Sequence, residues 1–256
     1  MTEGSGADPG VGASAERPRV ALFRPDDERL ASAVATLEGL GVDPLADPLL
    51  AIEPSGAVPR TDADYVVLTS KTGADLLPAD WSPGGATVCA IGERTAEALA
   101  AVGHPPDVVP ETYSSTGLLA ALEDRVAGAR VEVARSDHGS AVLLDGLDAA
   151  GAFHHETVLY RLVRPEEAGE STDAVAAGEV AAVLFTSSLT VEHFLEAAEA
   201  RGGLDGAMTG LERTVVGAIG EPTRETAAAH GIAVDVVPET ASFEALARAV
   251  VDRLSP

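Results

Sequence analysis

Three kinds of short segment in this chain set hydroxyls beside backbone N–H groups that can lack partners. They are Thr69-Ser70-Lys71-Thr72 with its counterpart Thr186-Ser187-Ser188, Gly92-Glu93-Arg94-Thr95 with Gly220-Glu221-Pro222-Thr223, and Thr112-Tyr113-Ser114-Ser115 with Thr240-Ala241-Ser242. Each is read as a turn that opens a helix. A helix N-terminus leaves N–H donors unpaired and carries partial positive charge, so it can hold a carboxylate. One such end contributes about 0.3–1 kcal/mol, more when partly buried. Several used together suit a ligand with several carboxylates. Taken singly, a Ser or Thr in these turns is an ordinary cap, Pro222 is ordinary first-turn grammar, and Gly92 and Gly220 only permit a tight turn. The binding reading gains weight because two matched sets exist. Lys71 is the only lysine in the chain and sits inside a Thr-Ser turn, and Arg24 precedes Pro25 at a strand end. Both are candidates for contact with an anion.

The elements that must position these turns are short and regular. Apolar runs such as Val20-Ala21-Leu22-Phe23, Tyr65-Val66-Val67-Leu68, Ala182-Val183-Leu184-Phe185 and Val215-Val216-Gly217-Ala218-Ile219 alternate with alanine-rich stretches at helical spacing over 28–40, 94–102, 116–126, 190–200 and 223–230. Near-continuous apolar strands are the pattern of a parallel sheet covered on both faces. Strand–helix alternation predicts a doubly wound α/β fold, and in such sheets ligands bind beyond the carboxyl ends of the strands, where these turns lie.

The chain also repeats itself. Ala90-Ile91-Gly92-Glu93-Arg94-Thr95 returns as Ala218-Ile219-Gly220-Glu221-Pro222-Thr223, and Asp107-Val108-Val109-Pro110-Glu111-Thr112 as Asp235-Val236-Val237-Pro238-Glu239-Thr240, both at an offset of 128 residues. Leu68-Thr69-Ser70 matches Phe185-Thr186-Ser187 at an offset of 117. Two related α/β units follow. One division cuts the chain near residue 128. In another, the extended segments 48–54 and 158–165 are paired strands between lobes, and the N-terminal strand and helix belong with the C-terminal half. The residues alone leave both open.

Composition narrows the function. The 256 residues hold 17 Lys+Arg against 41 Asp+Glu, a formal charge of -24. That field repels nucleic acid and anionic lipid, so neither is expected as a partner. With 46% hydrophobic residues the chain is not a disordered acidic tract; it is expected to be a folded, cytoplasmic protein with an acidic coat from a halophilic source. Residues 1–17 lack a signal-peptide core and read as a disordered tail. No stretch reaches the roughly 18 apolar residues of a membrane span. The lone Cys89 excludes a disulfide framework and reads as a buried, inert thiol. No GxGxxG, Walker A, GxSxG or HExxH string is present. His154 and His155 would point to opposite faces of a strand, and no other His has ligand spacing, so no metal is expected.

The strings VALFRPDDERLASAVATLEGLGV, PLLAIEP, DYVVLTSKTGADLL, CAIGERTAEAL, TVLYRLVRP, AAVLFTSSLTVEHFL and GAIGEPTRETAAAHG, with the two DVVPET copies, resemble the uroporphyrinogen-III synthase family in order and spacing over about residues 18–254. The resemblance implies two similar flavodoxin-like lobes joined by a two-stranded linker. It places 18–48 plus 166–256 in one lobe, 55–157 in the other, and 49–54 and 158–165 in the linker. It also implies the reaction: hydroxymethylbilane, which carries eight carboxylates, loses water and closes with its last pyrrole inverted, without a cofactor. Separately, the chain is expected to be a monomer. Tyr160 matches the linker tyrosine implied as a weak general acid. Thr69, Ser70, Thr186, Ser187 and the turns from Gly92 to Thr95 and from Gly220 to Thr223 match positions expected near the substrate, with Ser188 beside them. Local Arg24, Lys71, Arg94, Arg161 and Arg224 must offset the global repulsion of an acidic substrate. The chain departs from the family at Arg135-Ser136-Asp137-His138, where a glycine-rich Arg-Gly stretch is common. The competing reading is a non-catalytic bilobal binding or sensor module for a polycarboxylate.

The acidic coat makes salt a direct test. Screening weakens self-repulsion over about 10 Å at 0.1 M, so the melting temperature is expected to rise, and the Michaelis constant for an acidic substrate to fall, along a salt series. Greatest stability in dilute buffer, or a Michaelis constant that climbs steadily with salt, would refute the halophilic reading.

Overall fold

The β-branched runs and alanine-rich stretches become nine strands and ten helices among residues 17–254, which are the residues that the computed structural model describes. The tail expected over 1–17 lies outside them except for Arg17. In chain order the first elements are β1 (Arg19–Leu22), α1 (Glu28–Gly39), β2 (Asp43–Ala46), β3 (Ala51–Pro54), β4 (Tyr65–Leu68) and α2 (Lys71–Asp75). Next come β5 (Thr87–Ala90), α3 (Glu93–Ala101), α4 (Ser115–Leu122), β6 (Arg130–Ser136), α5 (Ala141–Ala149) and β7 (Phe153–Val163). The last are α6 (Glu170–Ala176), β8 (Ala182–Phe185), α7 (Ser188–Ala200), α8 (Leu204–Leu211), β9 (Val215–Ala218), α9 (Glu221–Ala229) and α10 (Phe243–Leu254).

The chain divides into two compact units, one running up to Leu50 and resuming at Arg164, the other Ala51–Val163. The first holds a four-stranded sheet in the order β2-β1-β8-β9, parallel throughout. β1 pairs with β8, Leu22 beside Leu184, so the N-terminal strand and helix pack with the C-terminal half. Alternating side chains feed two faces: Ala21, Phe23, Val183 and Phe185 meet Val191 and Phe194 of α7, while Val20, Leu22 and Leu184 meet α1 and α10. Phe23, Phe185 and Phe194 form one aromatic cluster with centroids 5.2–5.7 Å apart, directly under the strand ends from which Arg24 and Thr186 emerge. Asp47 is buried, yet both its oxygens are used: it accepts the N–H groups of Gly169 (3.0 Å) and Ser171 (2.9 Å) and the Ser171 hydroxyl (2.5 Å). It thereby satisfies donors in the first turn of α6 that the helix itself cannot.

The second unit holds a five-stranded sheet in the order β3-β7-β6-β4-β5. β4 runs parallel to both β5 and β6, with Leu68 beside Ala90 and Ala134. β7 is one continuous strand. It pairs parallel with β6 along most of its length, and its last part pairs antiparallel with β3, Ala51 opposite Val163 and Pro54 opposite Tyr160. α2 and α3 cover one face and α4 and α5 the other.

The 128-residue repeat has a structural reason. Asp107 and Asp235 each turn a carboxylate onto the strand beside them, accepting the Val88 and Val216 N–H groups at 2.9 and 2.8 Å. Each following valine then makes one parallel bridge, Val108 to Cys89 and Val236 to Gly217. The string therefore extends each sheet by one bridge before the chain turns into α4 or α10, whose caps are Ser114 (accepting Gly117 N–H, 3.0 Å) and Ser242 (accepting Ala245 N–H, 3.2 Å).

Cys89 lies inside the second sheet with no exposed surface. Burial, aided by the Asp107 charge, pushes its thiol up to about 12. The thiolate is the reactive form, so a thiol reagent at pH 8 is expected to leave native protein unlabelled and to label it fully in denaturant. Rapid labelling of the native protein would contradict this burial.

Candidate functional site

Each unit places its candidate residues at the carboxyl edge of its own sheet. In the second unit β4 ends at Leu68, and Ser70, with extended backbone, caps α2 by accepting the Gly73 N–H at 3.0 Å. Tyr160 reaches the same point from β7. It is only 6% exposed, and its hydroxyl donates to Ser70 Oγ at 3.0 Å. Thr69 is half-buried beside it, with its N–H on the Ala134 carbonyl at 3.4 Å. Gly92 caps α3 with extended backbone and no side-chain hydrogen bond, so the first N–H groups of this helix are left for a ligand or water. Thr95 is buried one turn on, and Arg94 is exposed, with no ion pair among the described residues.

In the first unit the Thr186 hydroxyl donates to the Phe23 carbonyl at 2.6 Å, stitching the end of β8 to the end of β1. Ser187 caps α7 in a reciprocal box with Thr190, each side chain accepting the other's N–H at 3.2 Å. Ser188 donates to the Pro222 carbonyl (3.2 Å) and accepts from Thr226 (2.8 Å), tying the start of α7 to the start of α9. Gly220 caps α9 as Gly92 caps α3, without a side-chain bond, and Thr223 is buried behind it.

The structure sorts the expected cations. Lys71 pairs with Asp75 at 2.5 Å, and Arg224 pairs with Glu221, whose carboxyl is held below its ordinary range by that hydrogen bond. Their charge is compensated within the chain. Arg24 lies 5.0 Å over the Phe243 ring and donates to the Arg29 carbonyl at 3.3 Å. Burial, then the Arg29 charge, lowers its pKa from the ordinary value, but a guanidinium stays charged. Arg135, in the segment that departs from the family, is buried and pinned by Glu156 (2.5 Å) and the Ser140 carbonyl (2.6 Å). Asp137 accepts the Leu162 N–H (3.1 Å) and faces His138 (2.9 Å). Burial alone would raise its carboxyl; the hydrogen bonds from His138 and the backbone overcome that and hold it low.

Several features escaped the sequence reading. Tyr113, 61% exposed, lies against Gly92, where the other unit has Ala241 near Gly220; the only signal was an aromatic at one of two otherwise matched positions. The fully buried Glu132 carboxylate accepts from Thr157 and meets His155 Nδ1 at 2.8 Å, while His154 meets Asp148 at 2.8 Å. Among the described residues no group of three His, Cys, Asp or Glu is placed to hold a metal. Cavities of about 430 Å³ (Arg213, Thr214, Asp235, Arg253) and 390 Å³ (Arg60, Glu132, His155) open near the amino ends of β9 and β6, away from these edges.

The two glycine caps predict an asymmetry. A Cβ at Gly92 would stand 3.1 Å from Tyr113 Cβ and Cγ, whereas at Gly220 the nearest atoms are 3.9 Å away. Both variants give up a glycine cap, and only residue 92 is also overpacked, so Gly92→Ala is expected to lose about 1 kcal/mol more than Gly220→Ala in urea unfolding. Equal losses would show that Tyr113 does not press on residue 92.

A profile of the family uroporphyrinogen-III synthase HemD matches residues 31–248. A protein of Methanothermobacter thermautotrophicus that carries a provisional uroporphyrinogen-III synthase name is 34% identical over 237 residues, covering 86% of this chain and 92% of that one. A uroporphyrinogen-III synthase of Synechococcus elongatus is 25% identical over 153 residues, 56% of this chain and 58% of its own length. Two crystal structures share the fold. A mutant uroporphyrinogen III synthase of Thermus thermophilus superposes with TM-score 0.63 at 22% identity, over 93% of this chain and 98% of that one. The Helicobacter pylori enzyme superposes with TM-score 0.61 at 15% identity, over 92% and 99%.

Proposed function

The chain belongs to the uroporphyrinogen-III synthase family, and from that membership we propose that it dehydrates hydroxymethylbilane and closes it, with the terminal pyrrole inverted, to uroporphyrinogen III. The profile match across residues 31–248 carries the reading. In class the reaction is a cyclising hydro-lyase step that uses no cofactor. The substrate is a linear tetrapyrrole with eight carboxylates, and both units present carboxylate receptors of matching kind at their strand ends.

The linear substrate also closes without inversion on its own, so the enzyme's task is to favour attack at the substituted carbon of the last ring. That is positioning and stabilisation of a cationic intermediate. The open N-termini of α3 and α9, behind Gly92 and Gly220, are the anchors this reading favours, with Thr95 and Thr223 beside them. Thr69, Ser70, Thr186, Ser187 and Ser188 add hydroxyl contacts. Arg94 supplies an uncompensated cation; Arg24, Lys71 and Arg224 contribute less field because each is paired or stacked within the chain. Departure of the hydroxyl needs a proton, and the Tyr160 hydroxyl, held on Ser70, is its source. No helix among the described residues is long and apolar enough to cross a membrane. The protein is assigned to the cytoplasm as a monomer that binds neither nucleic acid nor membrane, and its charge of -24 suits a salt-rich interior.

Product analysis decides the matter. Incubation with hydroxymethylbilane and separation of the isomers is expected to yield type III above the spontaneous type I background. Tyr160→Phe is expected to lower the type III rate about 100-fold, the scale of one general acid, with unchanged circular dichroism. Type I product alone from the wild-type protein would leave a binding module, and an unchanged rate would remove Tyr160 from the mechanism.

A further inference from the structure

Tyr160 is the buried partner of its hydrogen bond. It is 6% exposed, whereas Ser70 is half-buried at the open edge of the sheet. A serine hydroxyl has two lone pairs and one proton. Around Ser70 Oγ both lone pairs are claimed, one by the Gly73 N–H at 3.0 Å and one by the Tyr160 hydroxyl at 3.0 Å. Its own proton has no acceptor among the described residues. The seat is tight: a Cβ on residue 73 would stand 3.1 Å from Ser70 Oγ and 3.4 Å from Leu159 Cδ1, so glycine there lets the hydroxyl sit where both donors reach it.

Resting on the reading above, we infer that Ser70, rather than Tyr160, touches the departing hydroxyl, and that the two residues form a two-step proton relay. The C–O bond of the hydroxymethyl group breaks and its electron pair leaves with oxygen. That oxygen takes the Ser70 proton and departs as water, while the Tyr160 proton moves to Ser70 Oγ. A phenolate and a cationic methylene-pyrrole remain. The phenolate regains its proton, back through Ser70, from the ring carbon that loses its C–H proton when the macrocycle closes. An aliphatic alcohol alone is a poor acid; a phenol behind it gives the relay its acidity, and a buried phenol needs the serine to reach substrate. Ser70 is therefore the catalytic residue, and Tyr160 acts through it.

The alternative is that Ser70 only caps α2, and a variant series separates the two. Glycine is tolerated at a helix cap at a cost of a few tenths of a kcal/mol, so Ser70→Gly removes the hydroxyl with little loss of fold, checked by thermal unfolding; Ser70→Thr keeps both hydroxyl and cap. Under the relay, Ser70→Gly and Tyr160→Phe each lower kcat for the type III isomer about 100-fold or more, with KM changed less than threefold. The double variant is no slower than the worse single one, because the two act as a unit. Ser70→Thr recovers most of kcat. Fluorinated tyrosine at 160 shifts the pH profile of kcat in the Ser70 protein and not in Ser70→Gly. Full kcat in Ser70→Gly, a loss confined to KM, or single losses that multiply in the double variant would overturn the relay while leaving the function standing. Wild-type protein that forms no type III isomer would overturn both.

Discussion

In-register parallel pairing is the constraint from which the rest of both units follows. A parallel partner must return to the same end of the sheet, so every crossover delivers a strand's carboxyl end to one edge. Leu22 therefore stands beside Leu184, and Leu68 beside Ala90 and Ala134. Arg24 and Thr186, or Ser70 and Gly92, become neighbours although they are far apart in the chain. The cores then hold those edges still. The Phe23, Phe185 and Phe194 rings lock the ends of β1 and β8, and the Thr186 hydroxyl bonds the two strand ends directly.

An acid-rich surface decides which groups remain available to an anion. Lys71 and Arg224 are claimed by Asp75 and Glu221 one helical turn away, and Arg135 by Glu156 across the sheet. In a chain with more than twice as many carboxylates as cations, a flexible basic side chain readily finds a partner. Backbone N–H groups at a helix start cannot swing toward a neighbouring carboxylate. Under the proposed function, that is a physical reason for a polycarboxylate to be anchored on the Gly92 and Gly220 turns rather than on a cluster of lysines.

Much of the fold was legible beforehand. Periodicity placed the strands and helices, because a doubly covered parallel strand needs an unbroken apolar run. The repeat marked the turns that open helices. It does not say why the DVVPET strings recur; the reason is tertiary, since Asp107 and Asp235 bond the edge of the neighbouring strand. The site was less legible. Lys71 looked exceptional as the sole lysine, but the ion pair with Asp75 depends on a helix starting at residue 71. Tyr113 over Gly92 is a contact between a loop and a cap with no periodic trace.

By itself the amino-acid order determined the α/β class, the doubling of the unit, the acidic coat and the kinds of turn that face solvent, because each is a local matter of composition, period or repetition. Only the tertiary structure decided that the N-terminal strand joins the C-terminal sheet and that Tyr160 rests on Ser70, 90 residues away in the chain. It also decided which cations are already paired. These are long-range pairings, and long-range pairing depends on the order in which strands are laid into a sheet, which no local pattern encodes.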